Sequence, residues 1–228
     1  MKSKSIFEVS IVVTLLVAGC AAAALDPRAR AEALLARMNA SEKVDLLHGC
    51  CKRSRWEAVN YTGQTLPQPD LGIPGLGLND GRQGFRSNDN NVGATAWPCQ
   101  LQAVASFDVG LMQRFGRALG EEFAAKGANV VLAPMLILAR VPQGGRTPES
   151  IGEDPELAYG MAFAHVTGVQ SVPGVMANAD DFVLNNQELA RDSVSSVCDN
   201  RTLFELYYRS YAGAVDAGVA SIMCSCTS

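Results

Sequence analysis

From Leu71 onward, short apolar runs alternate with longer amphipathic stretches, and this alternation narrows the possible folds more than any other feature. Runs near Gly75–Leu78, Asn129–Leu132, Val175–Ala179 and Ala220–Cys224 have the length of strands. Between them, Leu111, Phe115, Leu119 and Phe123 recur on one helical face, as do Leu203, Leu206, Tyr207, Tyr211 and Val215 on a later one. A further helix is expected from about Pro155 to Gln170, with Asp154 as its cap and Pro155 in its first turn. Strand and helix in alternation build a parallel sheet covered by helices. Periodicity alone does not separate a doubly wound sheet from a (β/α)8 barrel, but a whole barrel needs ~250 residues, so 71–228 supplies roughly the N-terminal half of one. A half barrel would expose two unpaired strand edges.

The segment before that pattern reads differently. Lys2 and Lys4, an apolar run from Val9 to Ala18 and a small-residue tract from Ala21 to Ala24 make residues 1–24 a signal peptide, too short in its apolar part to span a bilayer. Val17-Ala18-Gly19-Cys20 also fits a bacterial lipid-attachment box, which would anchor the chain to a membrane at Cys20; either route leads to a secreted, extracellular protein. Sequons at Asn39, Asn60 and Asn200 fit a eukaryotic secretory route. Cys50, Cys51, Cys99, Cys198, Cys224 and Cys226 form an even set compatible with disulfides, with the pairing open. Residues 25–70 are expected to hold one helix, Pro27 to Gly49, then a lead-in loop with neither strand nor helix.

A net charge of −4, with 19 basic against 23 acidic residues, gives no basic field for nucleic acid or for an anionic membrane surface. Neutral or small ligands remain, and in parallel α/β folds they bind where strands end. Four polar clusters follow the apolar runs: Asn79 to Arg86, Pro134 to Pro155, Asp180 to Glu188, and Met223 to Cys226. In the first, Asp80 is a carboxylate of the kind that can accept hydroxyl hydrogen bonds, as from a sugar, and Arg86 can add charge-assisted donors; the alternative is a solvated turn with a surface ion pair. In the second, a glycine pair lets the backbone turn close to a ligand with Arg146 at its edge.

Taken in order, these clusters resemble the N-terminal barrel domain of family 3 glycoside hydrolases of the β-glucosidase type. Met38-Asn39-Ala40-Ser41-Glu42-Lys43-Val44-Asp45-Leu46-Leu47-His48-Gly49 is similar to the family's "M-T-L-E-E-K-V-x-L-L-x-G". Gly72-Ile73-Pro74 with Asn79-Asp80-Gly81 resembles "G-I-P…S-D-G-P-x-G-x-R", and Gly144-Gly145-Arg146 with Glu149 and Glu153-Asp154-Pro155 resembles "G-G-R-N-F-E-S-x-S-E-D-P". Asn185-Asn186-Gln187-Glu188 and Met223-Cys224-Ser225 continue the match. The resemblance implies a partial TIM barrel, β-glucosides or oligosaccharides as ligands, no cofactor, and Asp80, Arg86 and Arg146 bonding the glycosyl ring.

The pattern is also broken. The family's Lys-His pair before Phe182, two donors to the same sugar, is here Asp180 and Asp181; Ile137 and Thr147 replace asparagines, and Cys226 replaces a tyrosine. Two acids beside Asp80 are expected to crowd the site with negative charge, raising a carboxylate pKa or pushing the loop outward, with loss of sugar affinity. As strand neighbours, Asp180 and Asp181 are expected to point opposite ways. Retaining glycosidases need a nucleophilic carboxylate and an acid ~5 Å apart. By the resemblance both lie in sequence later than Ser228, so the expectation is a chain inactive on its own, or a non-catalytic binder of glycans or proteins. His165, among Met161, Phe163, Val166 and Val169, reads as a partly buried structural histidine, and His48 as a helix-end residue.

Overall fold

The computed structural model describes residues 26–50, 61–87 and 93–225. Of these, 26–49 and 66–74 pack as one unit and the rest as another. The leader, Cys20, the Asn60 sequon, Cys51 and Cys226 lie outside the described residues.

In the first unit, the single helix expected from Pro27 to Gly49 is two: α1 (Pro27–Arg37) and α2 (Ala40–Asp45). Met38 is extended, and Asn39 then starts a new helix through a capping box. The Asn39 side chain accepts from the Glu42 N–H at 3.0 Å, while the Glu42 carboxylate accepts from the Asn39 N–H at 2.8 Å. Two otherwise orphaned donors are satisfied this way, which makes a break stable where the apolar spacing runs on unchanged. His48 sits past the end of α2, its Nδ1 2.9 Å from the Val44 carbonyl.

The second unit is a curled sheet of five strands in the order β1 (Gly63–Gln64), β2 (Gly77–Asp80), β3 (Val130–Met135), β4 (Met176–Phe182) and β5 (Ser221–Cys224). β1 runs antiparallel to β2, and every later pair is parallel. Helices make each crossover: α3 (Gln100–Val104) and α4 (Val109–Ala125) before β3, and α5 (Pro155–Gln170) before β4. The last crossover holds α6 (Asn200–Thr202), a π-helical turn over Leu203–Tyr207 and α7 (Tyr208–Asp216). Sequential parallel strands with a helix in every connection are half of a (β/α)8 barrel.

Two details depart from expectation. The lead-in contains a strand, β1, which covers the outer edge of β2, so one of the two edges expected to be open is paired. The long strands also run further than their apolar stretches: β2 continues through Asn79-Asp80 and β4 through Asp180-Asp181. Hydropathy marks where a strand stops meeting the core, whereas pairing continues into the polar mouth of the sheet.

All six residues of β3 are buried, as befits a central parallel strand covered on both faces. Phe115, Leu119 and Phe123 of α4 pack inward as the spacing predicts, each fully buried side chain contributing ~1.5–3 kcal/mol. Leu111 is exposed, and Met112 is buried in its place. Across the π turn the helical period changes, so Tyr207, Tyr211 and Ala214 face the core while Leu206 and Val215 face solvent. The predicted face holds at Leu203, Tyr207 and Tyr211 and fails at Leu206 and Val215, where a regular 3.6 period does not carry across the π turn.

Candidate functional site

The polar mouth of the sheet holds a cavity of about 770 Å3, reached by residues from the ends of β2, β4 and β5 and from the loops after β2, β3 and β4. The described residues on its wall include Asp80, Arg86 and Arg146, the three positions proposed from sequence to hold a sugar ring.

At the end of β2, Asp80 accepts from Arg86 Nη1 at 2.7 Å, and the Arg86 backbone N–H donates to the Asp80 carbonyl at 3.2 Å. Asn79 fixes this turn from behind. Its Nδ2 donates to the Arg86 carbonyl at 2.8 Å, and its Oδ1 accepts from both the backbone and hydroxyl of Thr62. The loop closes so tightly because Gly84 has φ +117, where a Cβ would collide with the Thr95 carbonyl. Arg86 nevertheless stays open, its side chain 68% exposed.

After β3, Gly145 (φ +90) brings Arg146 against the cavity. Arg146 donates to Glu149 through Nε at 3.3 Å and Nη2 at 2.9 Å, and to Asp181 through Nη1 at 2.9 Å. Burial works against its charge, yet the bond and charge of Glu149, with Asp181 next, hold its pKa above the usual value.

Asp181 lines the cavity and Asp180 is buried behind it, as alternating strand neighbours would be, yet both lie within reach of Arg82. Arg82 hydrogen-bonds Asp180, approaches Asp181 at 4.0 Å, and meets Glu149 at 3.3 Å. The register of β4 against β5 shifts between Ala179 and Phe182, a local irregularity of the pairing there. Asn185 Nδ2 donates to Asp181 at 3.0 Å, and the Tyr211 hydroxyl donates to the Asp181 carbonyl at 2.6 Å. The loop is therefore held inward and not pushed out. The Asp180 pKa is pushed up to about 7 chiefly by burial, against the lowering effect of Arg82, and the neighbouring Asp181 charge expected to raise it is a smaller contribution.

Three residues of this arrangement had no role assigned from sequence: Arg82, Glu149 and Asn185. Arg82 shares a loop with Asp80, so its presence near the site was legible, but nothing in the spacing showed that it turns toward β4. Asp180 lies behind the cavity wall, fully buried. Among the described residues, no group of three His, Cys, Asp or Glu side chains is placed to hold a metal ion. Cys99, Cys198 and Cys224 are unbridged thiols, the last at the cavity rim. His165 is fully rather than partly buried, in edge contact with Phe115, and burial lowers its pKa to about 4.

A half barrel with carboxylates and arginines around the C-terminal mouth of its strands is a domain of the (β/α) barrel type, and comparison with known proteins gives the family. The glycosyl hydrolase family 3 N-terminal domain matches residues 51–228, and the chain belongs to that family. It is 40% identical over 215 residues to β-glucosidase cel3A of Pyricularia oryzae, covering 92% of this chain and 28% of that protein. It is 38% identical to β-glucosidase 1 of Aspergillus aculeatus, covering 86% of this chain and 24% of the relative. Among solved structures, the β-D-glucoside glucohydrolase of Trichoderma reesei superposes with a TM-score of 0.78 at 40% identity, over 87% of this chain and 27% of that one. DesR, a β-glucosidase from Streptomyces venezuelae in complex with D-glucose, gives 0.80 at 34% identity, over 87% and 24%. The chain thus spans about a quarter of the length of these relatives. Among the described residues, no helix is long and apolar enough to cross a membrane.

Proposed function

We propose that the cavity binds the terminal β-D-glucosyl ring of a β-glucoside or oligosaccharide, with Asp80, Arg86 and Arg146 bonding its hydroxyls, and that these 228 residues alone do not cleave the bond. The observation that carries the reading is the convergence of those three side chains on one 770 Å3 cavity at the strand ends, in a chain of this family. The relatives' names supply the substrate class.

The second part of the reading rests on the carboxylates. Asp80, Glu149, Asp180 and Asp181 are each engaged by an arginine, so none stands free as a nucleophile opposite an acid. The same observation favours a non-catalytic, glycan-binding role. The hydrolytic activity of a β-glucosidase then belongs to a longer polypeptide, and the leader at 1–24 directs the protein out of the cell.

Titration of the purified 228-residue chain with D-glucose and cellobiose, beside an assay with 4-nitrophenyl β-D-glucoside, tests both parts. Saturable sugar binding without nitrophenol release is the expected result. Absence of binding overturns the cavity assignment, and turnover by the pure chain overturns the non-hydrolytic one.

A further inference from the structure

Three departures from the family strings meet at one point in space. Arg82 stands where the string "G-I-P…S-D-G-P-x-G-x-R" has its second proline, and Asp180 and Asp181 stand where the family has its Lys-His donor pair. The acids remove two donors from the end of β4. Arg82 brings donors back from the end of β2, where proline carries no side-chain N–H at all.

The guanidinium is held on several sides. Nη2 is bonded by Asp180 and lies 4.0 Å from Asp181, while Nη1 lies 3.3 Å from Glu149. The side chain is only 13% exposed, yet it forms part of the cavity wall. Arginine presents five N–H groups in a planar fork. One hydrogen bond and two longer ion pairs do not exhaust them: Nε is buried without a partner, and Nη1, which carries two N–H groups, has only the 3.3 Å ion pair with Glu149. Arg146, by contrast, already spends three bonds on Glu149 and Asp181. A donor fork clamped in this way loses little freedom on binding.

We propose that Arg82 is a ligand-binding residue of this cavity, donating to hydroxyl oxygens of a sugar in place of the absent Lys-His pair, and that Asp180 and Glu149 are the positioning residues that aim it. This deepens the reading of the cavity as a sugar site and rests on it. The altered motif is then a rewired specificity element: the donors have moved from one strand end to its neighbour's loop.

The test compares the 228-residue chain with two variants, using D-glucose and cellobiose as probes and thermal melting as a control. R82Q/D180N removes both members of the buried pair, so no uncompensated carboxylate is left; R82K keeps the charge and loses the fork. The expected outcome is sugar binding by the parent, at least tenfold weaker binding by R82Q/D180N with a melting point within a few degrees, and at least threefold weaker binding by R82K. Should R82Q/D180N not melt cooperatively, R82K alone decides. Unchanged affinity in the folded variants overturns the role of Arg82 and leaves the cavity assignment intact. Failure of the parent to bind either sugar removes both.

Discussion

The two sides of the cavity carry the same chemical pair, a carboxylate against a guanidinium, in opposite environments. At the end of β2, Asp80 and Arg86 meet at 2.7 Å with Arg86 largely in solvent. At the end of β4, Asp180 has no exposure and Arg82 very little. Exposed pairs contribute ~0–1 kcal/mol because water competes for both partners. A buried pair is different: its formation gains little net stability, but removing one partner strands the other and costs ~3–5 kcal/mol. The open side is therefore suited to exchanging its partner for a ligand, and the closed side to holding a donor fork in a fixed place.

The strongest way to break this contrast is Arg82→Ala. At pH 8 the variant is expected to lose ~3–5 kcal/mol of unfolding free energy in urea titrations, because Asp180, ionised against Arg82 in the parent, is left buried without the charge that holds its pKa down. At pH 5 the loss shrinks, since a carboxyl with a pKa near 7 takes up a proton instead. An equal loss at both pH values contradicts the assignment of Asp180 as the stranded group.

Asp180→Asn sharpens the same point. The folded-state pKa of Asp180 lies above its ordinary 3.8, so the unfolded chain releases the proton first, and stability falls as pH rises from 3.8 through about 7. Asparagine cannot ionise. Because asparagine also leaves the Arg82 charge without its carboxylate, the expectation is on the change with pH: the variant's stability relative to the parent should improve by on the order of 3 kcal/mol from pH 4 to pH 8, in parallel urea titrations.

His165 gives the mirror case, a buried base whose two ring nitrogens have no hydrogen-bond partner. Its folded pKa of about 4 lies below the ordinary 6.5, so its stabilising effect is complete above pH 6.5 and is lost as pH falls toward 4. His165→Leu should therefore be more acid-resistant, by on the order of 3 kcal/mol at pH 4 and by much less at pH 7.5. In the parent the two groups oppose each other between pH 4 and 7, which flattens its profile and makes the single variants the informative measurement.

What could be read from the residues follows from where each signal comes from. The helix over Pro155–Gln170, capped by Asp154 through the Leu157 N–H at 2.7 Å, appears as expected because cap, proline and period all agree locally. The break at Met38-Asn39 and the π turn at Leu203–Tyr207 were missed because apolar spacing averages over such defects. At the site, Asp80, Arg86 and Arg146 were legible through their motif, and they do share one cavity. Arg82 was not, because its role depends on which way a loop turns toward acids almost a hundred positions away in sequence. That is a fact of tertiary structure, and no local pattern encodes it.

The smallest effect on stability is expected where the effect on binding is largest. Asp80→Asn removes one charge of a pair whose arginine is 68% exposed, so unfolding free energy should change by less than ~1 kcal/mol. Its backbone contact with Arg86 is untouched, and Asn79 continues to hold the turn through Arg86 and Thr62. The carboxylate, however, is the acceptor offered to sugar hydroxyls on that side, and an amide exchanges one of its acceptor oxygens for a donor. D-glucose affinity should fall at least tenfold by calorimetric titration while the urea midpoint barely moves. If instead Asp80→Asn destabilises the fold as much as Arg82→Ala does, the two sides of the cavity are not the opposites described, and the open side is structural as well.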